Sequence, residues 1–125
     1  MKLYAAPLQG FTEAPWRNFH EEVFGGIDAY YTPFVRIERG GFRNRDVRDI
    51  APENNTVSHV VPQLIASTPV ELERLAALFT EKGYKEADFN MGCPFSAGCK
   101  KAQGLRHIAL SCRGRSFIER VDTLS

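Results

Sequence analysis

Residues 59–92 constrain the fold more than any other part of the sequence. Residues 59–66 (HVVPQLIA) and residues 86–92 (EADFNMG) are short apolar runs typical of buried strands. Between them, residues 68–71 (TPVE) form a capping box with proline at the first helical position. The apolar face of the predicted helix consists of Leu72, Leu75, Ala76 and Phe79. Gly83 ends this helix, and the whole unit is a βαβ crossover that makes the two strands parallel neighbours.

The first half of the chain repeats the alternation of strand and helix. Residues 2–9 (KLYAAPLQ) predict a buried strand, after which Thr12 caps a helix that Gly25-Gly26 ends. The apolar face of this helix is formed by Trp16, Phe19, His20 and Val23. His20 is therefore interpreted as a core or boundary histidine. A second strand is predicted within residues 28–37, ending by Pro33, and residues 38–57 form a long polar excursion.

Four strands in one direction predict an α/β fold with a parallel sheet. The chain has 125 residues, of which 43% are hydrophobic, as expected of one globular domain. A complete (β/α)₈ barrel takes about 250 residues, so an ordinary complete barrel is excluded. No apolar run reaches the ~18 residues of a membrane helix, and Pro7 and Gln9 come too early for a signal peptide. We therefore predict a soluble, cytoplasmic protein without a membrane partner.

The net charge of +1 is small, but the basic residues are clustered. Residues 34–48 contain five arginines against two acids, and residues 96–116 contain five basic residues and no acid. Such stretches either contact phosphates or form a solvated surface. The three cysteines contain no CxxC pair, so neither a disulfide framework nor a zinc site with His107 is favoured, and we predict no metal.

Ligands of parallel α/β proteins bind at the carboxyl ends of the strands, where this chain places several polar groups. Cys93 follows a strand between Gly92 and Pro94, which suits a general acid, a nucleophile or a buried structural cysteine. The Gln63 amide suits the edge of a planar heterocycle or a backbone partner. Asn90 invites the same argument, or stabilises a turn.

Four motifs occur in the order found in one enzyme family. Residues 6–17 (APLQGFTEAPWR) resemble the opening motif of the tRNA-dihydrouridine synthases, and residues 30–32 (YYT) resemble their second-strand motif. Residues 61–64 (VPQL) are similar to the family's third-strand glutamine motif, and residues 90–94 (NMGCP) to its active-site signature. The resemblance covers roughly residues 3–95.

The resemblance implies a TIM-barrel flavoenzyme with a tRNA substrate. Pro7, Leu8 and Gln9 would contact the isoalloxazine ring of FMN, and Gln63 would bond its edge. Asn90 would hold the flavin or the target uracil. In the family reaction NADPH reduces FMN, hydride passes to C6 of uridine, and a cysteine, here Cys93, donates a proton to C5. The target base must leave the RNA stack, and the arginines of residues 36–48 would contact phosphates.

The length implies the first half of such a barrel, about four parallel strands with intervening helices, as one truncated catalytic domain over residues 1–125. Residues 96–125 diverge from the family, through either natural divergence or a disrupted reading frame. Two alternatives to a tRNA-dihydrouridine synthase follow. One is a non-catalytic half barrel that self-associates through exposed sheet edges, and the other is a flavin-dependent oxidoreductase of a small molecule. The NMGCP motif argues against the second.

Overall fold

A computed structural model of the protein describes residues 1–90, which form a mixed α/β structure. The strands are β1 (Tyr4–Ala5), β2 (Ala29–Tyr31), β3 (Ile37–Glu38), β4 (Gly41–Phe42), β5 (Val60–Val61), β6 (Gln63–Leu64) and β7 (Asp88–Phe89). The helices are α1 (Ala14–Val23), α2 (Asn44–Ile50) and α3 (Pro69–Glu81), and Pro52–Asn54 form a 3₁₀ turn. No helix within residues 1–90 is long and apolar enough to cross a membrane.

The predicted parallel strand order is confirmed. β1 pairs with β2, β2 pairs with β5, and β6 pairs with β7, all in parallel. The strand predicted over residues 59–66 is two short strands, because Pro62 has no N–H to donate between β5 and β6. After β2 the chain continues alongside β6, since Val35 forms an isolated parallel bridge with Leu64. The α/β class of the described residues therefore agrees with the sequence, whereas the half barrel stays a prediction.

Residues 38–57 are more ordered than the predicted polar excursion. β3 and β4 form an antiparallel hairpin whose two loop residues, Arg39 and Gly40, have φ values of 51° and 78°. Two positive φ values in a two-residue loop match the twist of paired strands, and glycine adopts this conformation without strain. The hairpin leads into α2 and the 3₁₀ turn.

Helix α3 supplies most of the hydrophobic core. The core consists of Val35, Ile50, Leu64, Leu72, Leu75, Leu78 and Phe79. The predicted face of α3 is thus buried except for Ala76, which is half-buried. The hydroxyl of Thr68 accepts a hydrogen bond from Glu71 N at 3.2 Å, as the capping box predicts. The Glu71 carboxylate returns to Ser67 N at 2.7 Å rather than to the N-cap residue.

Helix α1 does not bury the face that its periodicity predicts. Trp16, Phe19 and Val23 are 39%, 65% and 53% exposed. The buried residues of α1 are instead Ala14 and Arg17, the latter with no exposed surface. The interpretation of one apolar face turned to the core is therefore wrong for the described part of the chain, because a buried ion pair occupies the inner side of the helix.

This ion pair joins Arg17 to Asp49 of α2 at 2.9 Å. The Arg17 guanidinium also donates to the carbonyl of Thr12 at 2.9 Å and to the side chain of Asn55 at 2.8 Å. Asp49 accepts a further hydrogen bond from Ala14 N at 2.6 Å, so a carboxylate from α2 caps α1. Thr12 is not the cap that the sequence predicts, because its hydroxyl accepts from Leu8 N at 2.8 Å.

We predict that Asp49→Ala lowers the free energy of unfolding by about 3–5 kcal/mol, since it leaves a buried arginine without its counter-ion. Urea denaturation followed by circular dichroism measures the change. Glu38→Ala, which removes the exposed partner of Arg36, is the control and should cost under about 1 kcal/mol. Equal effects of the two substitutions would contradict the role assigned to the buried pair.

Candidate functional site

The predicted site residues lie at or near the carboxyl ends of parallel strands. Residues 7–9 follow β1, Asn90 follows β7, and Gln63 lies next to the last residue of the run formed by β5 and β6. Thr32, which follows β2, lies at the same edge. Since these strands are neighbours and parallel, their carboxyl ends form one edge of the structure. This is the edge at which parallel α/β proteins bind ligands.

The loop after β1 is fixed by backbone and side-chain hydrogen bonds. The Leu8 carbonyl accepts from Phe11 N at 3.0 Å and from Thr12 N at 3.1 Å. The Gln9 side-chain oxygen accepts from Phe34 N at 3.1 Å, which ties this loop to the segment after β2. Pro7 is half-buried, whereas the Leu8 side chain is 63% exposed. The loop therefore presents apolar surface on a restrained backbone.

Gln63 is the centre of the hydrogen bonding at this edge. It is only 8% exposed, and its backbone N–H donates to the hydroxyl of Thr32 at 3.0 Å. Its side-chain Nε2 donates to Asp88 Oδ2 at 2.7 Å, and its Oε1 accepts from Asn90 Nδ2 at 3.3 Å. Two of the predicted site residues, Gln63 and Asn90, are thus in direct contact.

Asp88 belongs to this hydrogen-bonded group at the strand edge, and the sequence reasoning missed it. It stands two positions before Asn90, and residues at this spacing in an extended chain point to the same face. The sequence could have revealed Asp88 through this spacing, because the strand face that carries Asn90 also carries the residue two positions before it. Asp88 lies directly opposite Gln63 in the β6–β7 register, which explains their contact.

Burial is the main reason why two tyrosines of β2 have raised pKa values. Burial, with smaller contributions from Asp88 and Glu86, raises the pKa of Tyr31. Burial and a hydrogen bond to Glu21 raise the pKa of Tyr30 to about 12. The Tyr30 hydroxyl also meets His20 Nδ1 at 2.8 Å, so the half-buried His20 is the boundary histidine predicted from the sequence.

The hydrogen-bonding groups at this edge have the chemistry that the edge of a planar heterocycle would need. The Gln63 amide keeps one N–H and one carbonyl lone pair beyond its contacts with Asp88 and Asn90, by simple count of its hydrogen-bonding capacity. A heterocycle edge with adjacent donors and acceptors, such as that of FMN, needs such a group. The exposed apolar surface of the loop after β1 suits the flat ring beside it.

A comparison with known proteins identifies the family. The family model described as "Dihydrouridine synthase (Dus)" matches residues 4–108. The chain belongs to the dihydrouridine synthase family. No solved structure matches it significantly.

Three relatives show the extent of the similarity. The tRNA-dihydrouridine synthase B of Salmonella typhimurium is 33% identical over 82% of this chain and 32% of its own length. The tRNA-dihydrouridine(16) synthase of Pseudomonas putida is 34% identical over 75% and 31%. The tRNA-dihydrouridine(20/20a) synthase of Shewanella oneidensis is 33% identical over 71% and 25%. The chain thus spans about a third or less of the length of these relatives.

Most arginines of the basic segment, residues 34–48, are already paired. Arg43 bonds Asp46 at 2.7 Å, Arg45 bonds Glu13 at 2.6 Å, and Arg36 lies 3.5 Å from Glu38. Burial raises the pKa of Asp46 against the opposing effect of Arg43. Arg39 and Arg48 are exposed. The local positive charge of this segment is therefore smaller than its arginine count implies.

Two further observations concern the rest of the described chain. A cavity of about 390 Å³ lies at the opposite, amino end of β5, beside His59, Lys82 and Lys85. Residues 1–90 contain no group of three or more His, Cys, Asp or Glu that could hold a metal ion. Cys93, Cys99, Cys112 and His107 lie outside the described residues, so the site role predicted for Cys93 stays a prediction.

Thr32→Val should weaken the site edge, because the fully buried hydroxyl accepts from Gln63 N and valine has no acceptor. An unsatisfied buried N–H costs about 1–3 kcal/mol. Amide hydrogen exchange at Gln63 N–H is the measurement, and it should accelerate in Thr32→Val but not in Thr32→Ser, which keeps the hydroxyl. Equal exchange rates in the two variants would show that the hydroxyl does not protect this amide.

Proposed function

We propose that the chain forms the flavin-facing part of an FMN-dependent tRNA-dihydrouridine synthase. The observation that carries the proposal is the contact of Gln63 with Asp88 and Asn90 at the carboxyl ends of parallel strands, in a member of this family. The tRNA named for the relatives is the proposed substrate class. These relatives also disfavour a small-molecule oxidoreductase.

The proposed cofactor contacts combine apolar and polar groups. Pro7, Leu8 and Gln9 would lie against the isoalloxazine ring, and Gln63 would bond its edge. FMN, when bound and reduced by NADPH, supplies the hydride for C6 of uridine. Asn90, which touches Gln63 at 3.3 Å, would hold either the flavin or the uracil.

Cys93 is the proposed proton donor. A thiol can donate a proton as a general acid, and Cys93 would supply the proton that C5 receives. Hydride at C6 and a proton at C5 together saturate one double bond, so the two additions balance. The uridine must turn out of the RNA stack to reach this site, and the exposed Arg39 and Arg48 are proposed phosphate contacts.

The proposed architecture is the first half of a TIM barrel. The parallel order of β1, β2, β5–β6 and β7 supports it, as does the match to about a third of each longer relative. A cytoplasmic location is proposed together with the tRNA substrate.

Flavin binding tests the proposal directly. The purified chain is mixed with FMN and separated from free cofactor, and the bound flavin is followed by its visible absorbance while NADPH is added. A yellow complex that NADPH bleaches is the expected result. A folded protein without bound flavin would overturn the proposed function for this chain.

We predict that Cys93→Ala keeps FMN but loses uridine reduction in tRNA by a factor of about 10²–10⁴, the usual contribution of a general acid. Dihydrouridine formed in tRNA by flavin-loaded protein is the quantity measured. Cys112→Ala, which removes another thiol of the chain, is the matched control and should retain activity. Undiminished reduction by Cys93→Ala would refute the proton-donor role.

A second candidate function, self-association without catalysis, has its own structural support. The apolar surface of α1, defined as Trp16, Phe19, Val23 and Phe24, is exposed. β1 is the edge strand of its three-stranded sheet, and Tyr4 of β1 and the preceding Leu3 are exposed. An open strand edge beside apolar side chains favours pairing with another chain. We propose that a second copy of the chain covers this surface.

Phe19→Glu should shift the chain toward the monomer, because a carboxylate on the apolar surface of α1 opposes its burial. Sedimentation velocity at several concentrations gives the distribution of species. Val70→Glu places the same charge at another exposed apolar residue, on α3, and should leave the distribution unchanged. A wild-type chain that is monomeric at all concentrations would overturn self-association.

A further inference from the structure

The Gln63 side chain donates one hydrogen bond and accepts another. The carboxylate of Asp88 determines which end of the amide is the donor. An ionised carboxylate only accepts hydrogen bonds, so the Gln63 group facing Asp88 must be the Nε2 amide. The 2.7 Å separation between Gln63 Nε2 and Asp88 Oδ2 fits a charge-assisted hydrogen bond. The orientation of the amide therefore follows from the chemistry of its partner as well as from the atom positions.

The same orientation sets the contact with Asn90. With Nε2 held by Asp88, the Gln63 carbonyl faces Asn90 and accepts from its Nδ2 at 3.3 Å. If the amide turned over, two oxygens would face each other at Asp88, and two amino groups at Asn90 if its own amide stayed as it is. One carboxylate thus fixes the donor and acceptor order of two neighbouring amides. Gln63 is 8% exposed, so water cannot easily replace the lost contacts.

We propose that Asp88 is a positioning residue that orients the Gln63 amide for contact with the flavin. This inference rests on the proposed function, because it concerns how Gln63 meets the cofactor edge. Asp88 acts through Gln63 and not by contact with the reacting atoms. An amide held in one orientation offers the ligand one fixed order of donor and acceptor, and this lowers the cost of binding compared with an amide that turns freely.

Asp88→Asn is the informative substitution. Asparagine has nearly the same shape but both donates and accepts, so both orientations of Gln63 become possible. FMN affinity, measured by quenching of flavin fluorescence, should fall roughly tenfold, because a charge-assisted hydrogen bond becomes a neutral one and no longer imposes one orientation on the amide. The matched control is Asp28→Asn, whose carboxylate accepts from Leu3 N at the other end of the sheet and should leave FMN affinity unchanged.

A double-mutant cycle separates positioning from general support of the fold. If Asp88 acts through Gln63, Asp88→Asn should cause no further loss of FMN affinity in a Gln63→Ala background. Equal losses in both backgrounds would overturn the proposal and assign Asp88 a merely structural role. Unchanged affinity in Asp88→Asn alone would also overturn it. Absence of flavin binding by the wild-type chain would instead overturn the proposed function itself.

The side-chain amide signals of Gln63 provide a readout that does not need flavin. In the ¹H–¹⁵N spectrum of the wild-type chain, one of its two Nε2 protons should be displaced from the position of a free amide by the carboxylate. Two protons at free-amide positions would show that the contact with Asp88 is not formed and would overturn the proposal. A displaced proton that returns in Asp88→Asn, but not in Asp28→Asn, supports it.

Discussion

The buried pair of Arg17 and Asp49 holds the first half of the described structure together. It joins α1 to α2, and Asp49 also satisfies the N–H of Ala14 at the start of α1. Taking a guanidinium out of water is costly unless its hydrogen-bonding groups find partners, and here Thr12 and Asn55 complete the set. Because Thr12 also closes the turn at Leu8, the same network fixes the loop that follows β1.

Local signals predicted local structure well. Helix α3 follows from its capping box, its apolar period and the glycine at position 83, all of which lie within a few residues of the contacts they make. The face of α1 could not be predicted in this way. Its period marks Phe19 and Val23 as inward residues, whereas the decisive partner, Asp49, is 32 positions from Arg17 and has no sequence signature.

The candidate site shows the same difference between features set by neighbouring residues and contacts between distant ones. Gln63 and Asn90 were predicted individually, because a polar amide in an apolar strand or at its end is unusual. Their contact with each other depends on the register that pairs β6 with β7, which no single strand reveals. Asp88 was overlooked because an acid near a strand end has an ordinary interpretation as a solvated residue. The register turns it into the partner of Gln63.

The described residues therefore contain one region restrained by hydrogen bonds and one region of exposed apolar surface. The carboxyl edge of the strands is restrained by hydrogen bonds through Gln9, Thr32 and Gln63. The apolar surface of α1 and the edge strand β1 are exposed. The restrained edge is the proposed flavin-facing part, in a chain that spans about a third or less of the length of the relatives it matches.

A titration of the ¹⁵N-labelled chain with FMN, followed by ¹H–¹⁵N spectra, shows whether the carboxyl edge binds flavin. We expect shifts confined to this edge, at the amides of Leu8, Gln9, Thr32 and Gln63 and the side-chain amide of Asn90. Shifts at the amino-end cavity beside His59 and Lys85, or no shifts at saturating FMN, would contradict flavin binding at this edge.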